Sequence, residues 1–199
     1  MQISQAKSIL LQQQSEWSRI LGENEERQSY IKYGIILTVV SHLATFIGSA
    51  FLANSLFGAF SFGISYFAAL EAVQLVLAIA TLYFIPQILG TLAPSFGGQN
   101  NSMNATKLYV FTMTPVWIGS MLGIIPVIGW LGMIAGGIYG IMLFWQHVSE
   151  AMSVPEDKKA VYVIVSIVVI GVLMAVISWI ATSIATAMFV PSVLGRHLF

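Results

Sequence analysis

Cysteine is absent from the 199 residues, which removes disulfides, thiolate metal sites and thiol nucleophiles together. Charge is nearly as scarce. Asp, Glu, Lys and Arg make up 8% of the chain, against roughly 25% in an ordinary soluble domain, which needs them to face water. Neither sign predominates. Eight basic and eight acidic residues cancel to a formal net charge of zero, so there is no basic surface to neutralise phosphates, and nucleic acid is not an expected partner. The first 30 residues also lack the basic start, apolar centre and small-residue cleavage site of a secretory signal. Gln12, Gln13, Gln14 and Glu16 interrupt any apolar run there, and the N-terminus is expected to be retained. Nor is there a zinc-spaced His and carboxylate cluster, a phosphate-cradling glycine loop with a Lys, or a serine elbow. No enzyme, cofactor or metal is expected.

What is present is apolar length, with 57% hydrophobic side chains. Five stretches are long enough to cross a hydrocarbon core of roughly 30 Å as helices: Tyr33 to Phe57, Ile64 to Leu92, Leu108 to Ile125, Leu131 to Val148 and Val161 to Val190. Continuous apolarity at these lengths selects helices over the alternating strands of a barrel. The expected fold class is all-α: a polytopic helical membrane bundle of about five transmembrane helices. Residues 1–24 form an N-terminal arm and 25–199 the membrane domain.

Seven of the eight basic residues, Lys7, Arg19, Arg27, Lys32, Lys107, Lys158 and Lys159, fall on one side of such a bundle, and Arg196 on the other. The positive-inside rule then puts the N-terminus in the cytoplasm and the C-terminus outside. Before the first span, Ile3, Ala6, Leu10, Trp17, Ile20 and Leu21 share a helical face. They predict an amphipathic helix lying in the headgroup plane with Trp17 as its anchor and Gly22 as its stop; docking onto the bundle is the alternative.

The third and fourth spans meet at Ile125-Pro126-Val127-Ile128-Gly129-Trp130. This predicts a tight hairpin, because Pro126 lacks the amide a continuing helix needs and Gly129 permits a turn. Gly119 and Gly123, then Gly132, Gly136 and Gly140, recur four apart and are expected to pack backbone against backbone. A glycine hinge is the other reading. Gly97-Gly98 is the expected turn of the polar loop Ser95 to Asn104. Asn104-Ala105-Thr106 fits a glycosylation sequon but falls on the side assigned to the cytoplasm. His147 and His197 are read as interfacial residues, and Pro155, Glu156 and Asp157 as the opening turn of the fifth span.

Polar residues inside the spans are few enough to single out. Thr38, His42, Thr45 and Ser49 form one stripe on the first span, and Glu71 and Gln74 share a face of the second. Glu71 is the only Asp, Glu, Lys or Arg inside the five stretches. From a rise of about 1.5 Å per residue, His42, Thr45 and Glu71 are expected to meet near the midplane. An ionisable group at that depth costs roughly 2.5–3.5 kcal/mol on insertion scales and often marks a proton or ion path. Thr38, His42, Thr45, Glu71 and Gln74 are therefore the candidate site. A hydrogen bond that merely joins two helices is the competing account.

Several local motifs carry a resemblance. They are Leu92-Ala93-Pro94-Ser95-Phe96-Gly97-Gly98, Ala105-Thr106-Lys107-Leu108, and Thr112-Met113-Thr114-Pro115-Val116-Trp117. Ile125-Pro126-Val127-Ile128-Gly129, Gly137-Ile138-Tyr139-Gly140 and Val154-Pro155-Glu156-Asp157-Lys158 follow. This series resembles the small bacterial-type members of the Yip (Ypt-interacting protein) family, with Thr114, Pro115, Trp117, Pro126, Pro155, Asp157 and Lys158 as its motif positions. The resemblance implies five spans and a cytoplasmic N-terminal region, in a bacterial cytoplasmic membrane. Eukaryotic relatives are linked to Rab GTPases and vesicle traffic and carry a longer N-terminal segment with an Asp-Leu-Tyr-Gly-Pro motif. The Gln-rich arm lacks that motif, so a GTPase partner is not expected. The lipid bilayer, other membrane proteins and further copies of the chain are the expected partners. The resulting expectation is a scaffold or membrane-organising factor; a small oligomeric carrier or channel around His42 and Glu71 is the alternative.

Overall fold

A computed structural model describes residues 13–23, 25–53 and 63–196, and the regular elements among them are all helical. They are α1 (Gln13–Gly22), α2 (Arg27–Ile47), α3 (Ile64–Leu92), α4 (Ser102–Met121), α5 (Pro126–Met152) and α6 (Glu156–Arg196). A π-helical turn, Gly48–Ala53, prolongs α2. Single 3₁₀ turns, Ala93–Phe96 and Leu122–Ile124, follow α3 and α4.

Four helical stretches, Arg27–Leu52, Ile64–Phe96, Val127–Met152 and Glu156–Phe189, are long and apolar enough to cross a membrane. The chain is a helical membrane bundle. The third expected span, 108–125, corresponds to α4, which is not among the four. Its 20 residues measure about 30 Å, yet they include Asn104, Thr106, Lys107, Thr112 and Thr114. The reason is position. Ala105, Leu108, Val110 and Phe111 have no exposed surface, because α2, α3 and α5 all pack on α4. A helix that other helices enclose need not present an apolar face to lipid. The outer helices do the reverse, exposing Ile36, Val76, Phe84, Ile138 and Trp179.

Contacts between helices fix their directions. Thr81 meets Tyr109 while Gly90 faces Ala105, and Leu89 meets Tyr162 while Tyr66 meets Phe189, so α3 runs against both α4 and α6. Tyr33 meets Thr114, while a Cβ on Gly123 would touch Thr45, so α2 and α4 run parallel. With alternating directions, Arg19, Arg27, Lys32, Lys107, Lys158 and Lys159 gather at one end of the bundle, called the charged end below.

The α4–α5 hairpin is held by the expected glycines. A Cβ on Gly132 would lie 2.6 Å from the Gly119 carbonyl oxygen, and Cβ atoms on Gly136 and Gly140 would overlap the carbonyls of Pro115 and Thr112. Gly123 serves a different contact, against Thr45 and Gly48 of α2 and its π-helical turn. The turn itself departs from expectation at Gly129. Chain reversal is complete by Ile125, which has extended φ and ψ of −107° and 105°, and Pro126 opens α5, where its missing amide costs no helical hydrogen bond. Gly129 is already helical, and its use is to let Gly123 approach closely. Gly97, at φ 78°, supplies the left-handed residue that ends the Ala93–Phe96 turn, as expected for a residue without a Cβ.

The N-terminal helix takes the alternative of the two readings and docks onto the bundle. Trp17 and Ile20 are completely buried, where Trp17 was expected to sit among headgroups. The Trp17 indole stacks on His147 at 4.3 Å between centroids and 15° between planes, and meets Phe111 edge-on. The physical reason is that the charged end offers α1 an aromatic socket, which removes the indole from water more fully than a headgroup layer does. His147, near the charged end of α5, is accordingly half of a buried stack. Ile3, Ala6, Leu10 and His197 lie outside the described residues.

Candidate functional site

Of the five candidate residues, His42, Thr45 and Glu71 were expected to meet, and the structure brings these three and Gln74 to one cavity. The Nδ1 atom of His42 on α2 lies 2.8 Å from Oε2 of Glu71 on α3. Both side chains line a cavity of about 290 Å³ together with Thr45 and Gln74. Ser41, Thr81, Tyr109 and Ser120 add polar atoms to its wall, and Trp117, Met113 and Met174 close it with apolar ones. Thr38 does not take part. It is buried elsewhere, and its hydroxyl has no hydrogen-bond partner.

The local chemistry of α2 shapes this wall. Ser41 donates to the Thr38 carbonyl, Thr45 to the Ser41 carbonyl and Ser49 to the Thr45 carbonyl, at 2.9, 3.0 and 2.8 Å. Each hydroxyl proton is thus satisfied within the helix, a common accommodation for Ser and Thr where no water is at hand. Thr81 does the same to Ala78 at 2.6 Å and also meets the Tyr109 hydroxyl at 3.2 Å. The His42–Glu71 bond is the exception, since its members meet across two helices. A buried imidazole and carboxylate stabilise one another only as a bonded pair, because either alone would be a desolvated polar group in hydrocarbon.

The pair is not at the centre of the bundle. His42 stands 15 residues past Arg27 on α2, about 22 Å along the helix, whereas Glu71 is 7 residues into α3, about 10 Å from its start. It therefore lies nearer the uncharged end. A second hollow of about 180 Å³ shares Thr45, Ser120 and Met133 with the cavity and adds Ser49 and Trp130. It extends the line of hydroxyls toward that end.

At the charged end is a second polar construction. Lys107, one of the loop charges in the sequence reading, is 1% exposed. Its Nζ donates to the carbonyls of Ile20, Leu21 and Glu23 at 2.7, 3.1 and 2.8 Å and lies 5.4 Å from the centre of the Tyr30 ring. The ammonium thus caps the C-terminus of α1, where unpaired carbonyls and the helix dipole favour a cation. Nearby, Arg27 donates to the Thr106 hydroxyl at 2.9 Å and Asn104 to the Ala151 carbonyl at 3.2 Å.

The motif positions cluster at helix contacts and turns. Thr114 meets the Tyr33 hydroxyl at 3.1 Å, Pro115 receives Gly136, Pro155 borders Gly97, and Asp157 and Lys158 occupy the exposed first turn of α6. Among the described residues no three His, Cys, Asp or Glu side chains gather as a metal site would require.

A family model described as the Yip1 domain matches residues 7–193 of the chain. No curated protein and no solved structure matches it.

Proposed function

The chain belongs to the Yip1-domain family, and from that premise we propose that it is a non-enzymatic, membrane-organising scaffold that acts through helix association and partner binding. The observation carrying this reading is the ordered charged end, where Lys107 and the Trp17–His147 stack fix α1 against the bundle. A docked helix beside the Gly97 turn and the exposed first turn of α6 makes a composite polar face of fixed shape, suited to another membrane protein or a second copy. In this proposal the charged end faces the cytoplasm of a bacterial cell, the C-terminus lies outside, residues 1–24 are the partner-facing arm and residues 25–199 the five-span anchor. The test is co-purification in mild detergent, with wild type compared with Lys107→Met, which undocks α1. Partners held by wild type and lost from the variant support the reading; identical partners in both overturn it.

A second reading rests on the cavity. The His42–Glu71 bond inside a hydroxyl-lined hollow supports a small oligomeric carrier or channel, with Glu71 and His42 as the groups a solute or proton meets. Glu71→Gln in proteoliposomes tests it by dye-reported flux. Flux equal to wild type overturns it.

A further inference from the structure

The His42–Glu71 bond stands between two hollows of opposite character. Inside is the polar cavity. On the outer face, between α2 and α3, is a groove of about 210 Å³ whose remaining lining is Leu43, Phe46, Ala68, Ala72 and Leu75. His42 and Glu71 line both hollows, and their side chains keep 21% and 11% of their surface. The pair is thus reached from the lipid side as well as from within. Ala68 and Ala72, exposed and on either side of Glu71, leave the groove open where larger residues would fill it.

We propose that this junction is a binding site for a lipid alcohol, an uncharged lipid whose hydroxyl head enters between α2 and α3 and bonds to the His42–Glu71 pair. Its hydrocarbon chain lies along Leu43, Phe46 and Leu75. Three observations select that chemistry. The apolar groove meets polar atoms only at its inner wall, which matches a molecule polar at one end. Beyond the Nδ1–Oε2 bond the pair presents the second carboxyl oxygen and Nε2 of the imidazole, and a hydroxyl, which can both donate and accept, suits either atom. The third is depth. The pair sits about 10 Å along α3 from its first residue, and a phosphate or ammonium head drawn that far from water incurs a desolvation cost of several kcal/mol, which a hydroxyl avoids. A phosphate would also find no Lys or Arg in the lining of either hollow. The inference rests on the cavity as a ligand site and names the class of ligand.

Diacylglycerol and polyprenol are two sources of this chemistry, and the experiment separates them. The full-length protein in phosphatidylcholine nanodiscs is irradiated with a diazirine-bearing diacylglycerol, polyprenol or phosphatidylcholine, and adducts are mapped by mass spectrometry. Expected is labelling of 42–46 or 68–75 by one alcohol at about ten times the phosphatidylcholine level, the ratio a preference of ~1.4 kcal/mol gives. Ala72→Phe, which fills the groove, should abolish that excess, while Val76→Phe, one turn away on a residue 67% exposed, should leave it intact. Equal labelling by all three probes, or an excess that survives Ala72→Phe, overturns the proposal. Solute flux that depends on Glu71 without alcohol labelling overturns it and leaves the carrier reading standing; neither flux nor labelling overturns both.

Discussion

Replacing Lys107 by Met removes one ammonium and keeps the length and apolar bulk of the side chain, so the change tests the cap on α1 with little disturbance to packing. Three carbonyls, those of Ile20, Leu21 and Glu23, lose their shared donor. At a net worth of about 1 kcal/mol per hydrogen bond, the docked state of α1 loses about 3 kcal/mol. The lost complement to the helix dipole adds a further fraction of that. An opening equilibrium weakened by this amount shifts by about a hundredfold. The effect is local, because Trp17 and Ile20 leave their socket while the five long helices keep their own contacts. Hydrogen exchange of detergent-solubilised protein reads it directly. Amides of residues 13–23 should exchange about two orders of magnitude faster in the variant, and those of α4 below its first turn at the wild-type rate. An unchanged rate over 13–23 would refute the reasoning, since it would mean that Lys107 does not hold α1.

Adjacent glycines on α5 give a matched pair. Gly136→Ala forces a Cβ onto the Pro115 carbonyl and should lower thermal stability in detergent by about 1–3 kcal/mol, whereas Gly137→Ala, mid-helix with open space around it, should raise it by about 0.5–1 kcal/mol. A double-mutant cycle over His42→Ala and Glu71→Ala should return a coupling of about 0.5–3 kcal/mol, as for side chains in direct contact; additive losses would show that the pair does not join α2 to α3. Because the chain has no cysteine, single cysteines can map sidedness without background. Ser95→Cys and Lys158→Cys should react with an impermeant maleimide from the same side and Trp130→Cys from the other, and any other pattern contradicts the alternating helix directions.

The sequence displayed the elements whose cause is local. Apolar length located α3 at the expected residues, 64–92, and four-residue spacing identified Gly119, Gly132, Gly136 and Gly140 as contact points because a helix repeats its face at that interval. Pairing of His42 with Glu71 was legible for the same reason, since scarcity of polar groups leaves few ways to satisfy either. The residues it did not reveal are those whose environment comes from elsewhere in the chain. Lys107 reads as a solvated loop charge until α1 folds over it. Trp17 reads as an interfacial anchor until His147, 130 positions away in sequence, supplies a ring. Tyr109 stands in the cavity wall beside Thr81 of α3, a neighbour that only the fold supplies. Gly129 shows a subtler limit: one residue type serves both turns and close packing, and the sequence does not distinguish them.

Most bonds between segments lie toward the charged end: the Lys107 cap, Arg27 to Thr106, Asn104 to Ala151, Gln99 to Met152 and Tyr162 to Leu89. Toward the opposite end, among the described residues, Gly119, Gly123 and Gly132 bring backbones together, Tyr66 meets Phe189, and His42–Glu71 joins α2 to α3. Such contacts resist separation but little resist sliding. The bundle is therefore tethered like the ribs of a fan, with α2 held through α4 and α3 through α6 at the tethered end. Lateral pressure in the far leaflet acts on the longest lever and bears first on the gap that Glu71 bridges.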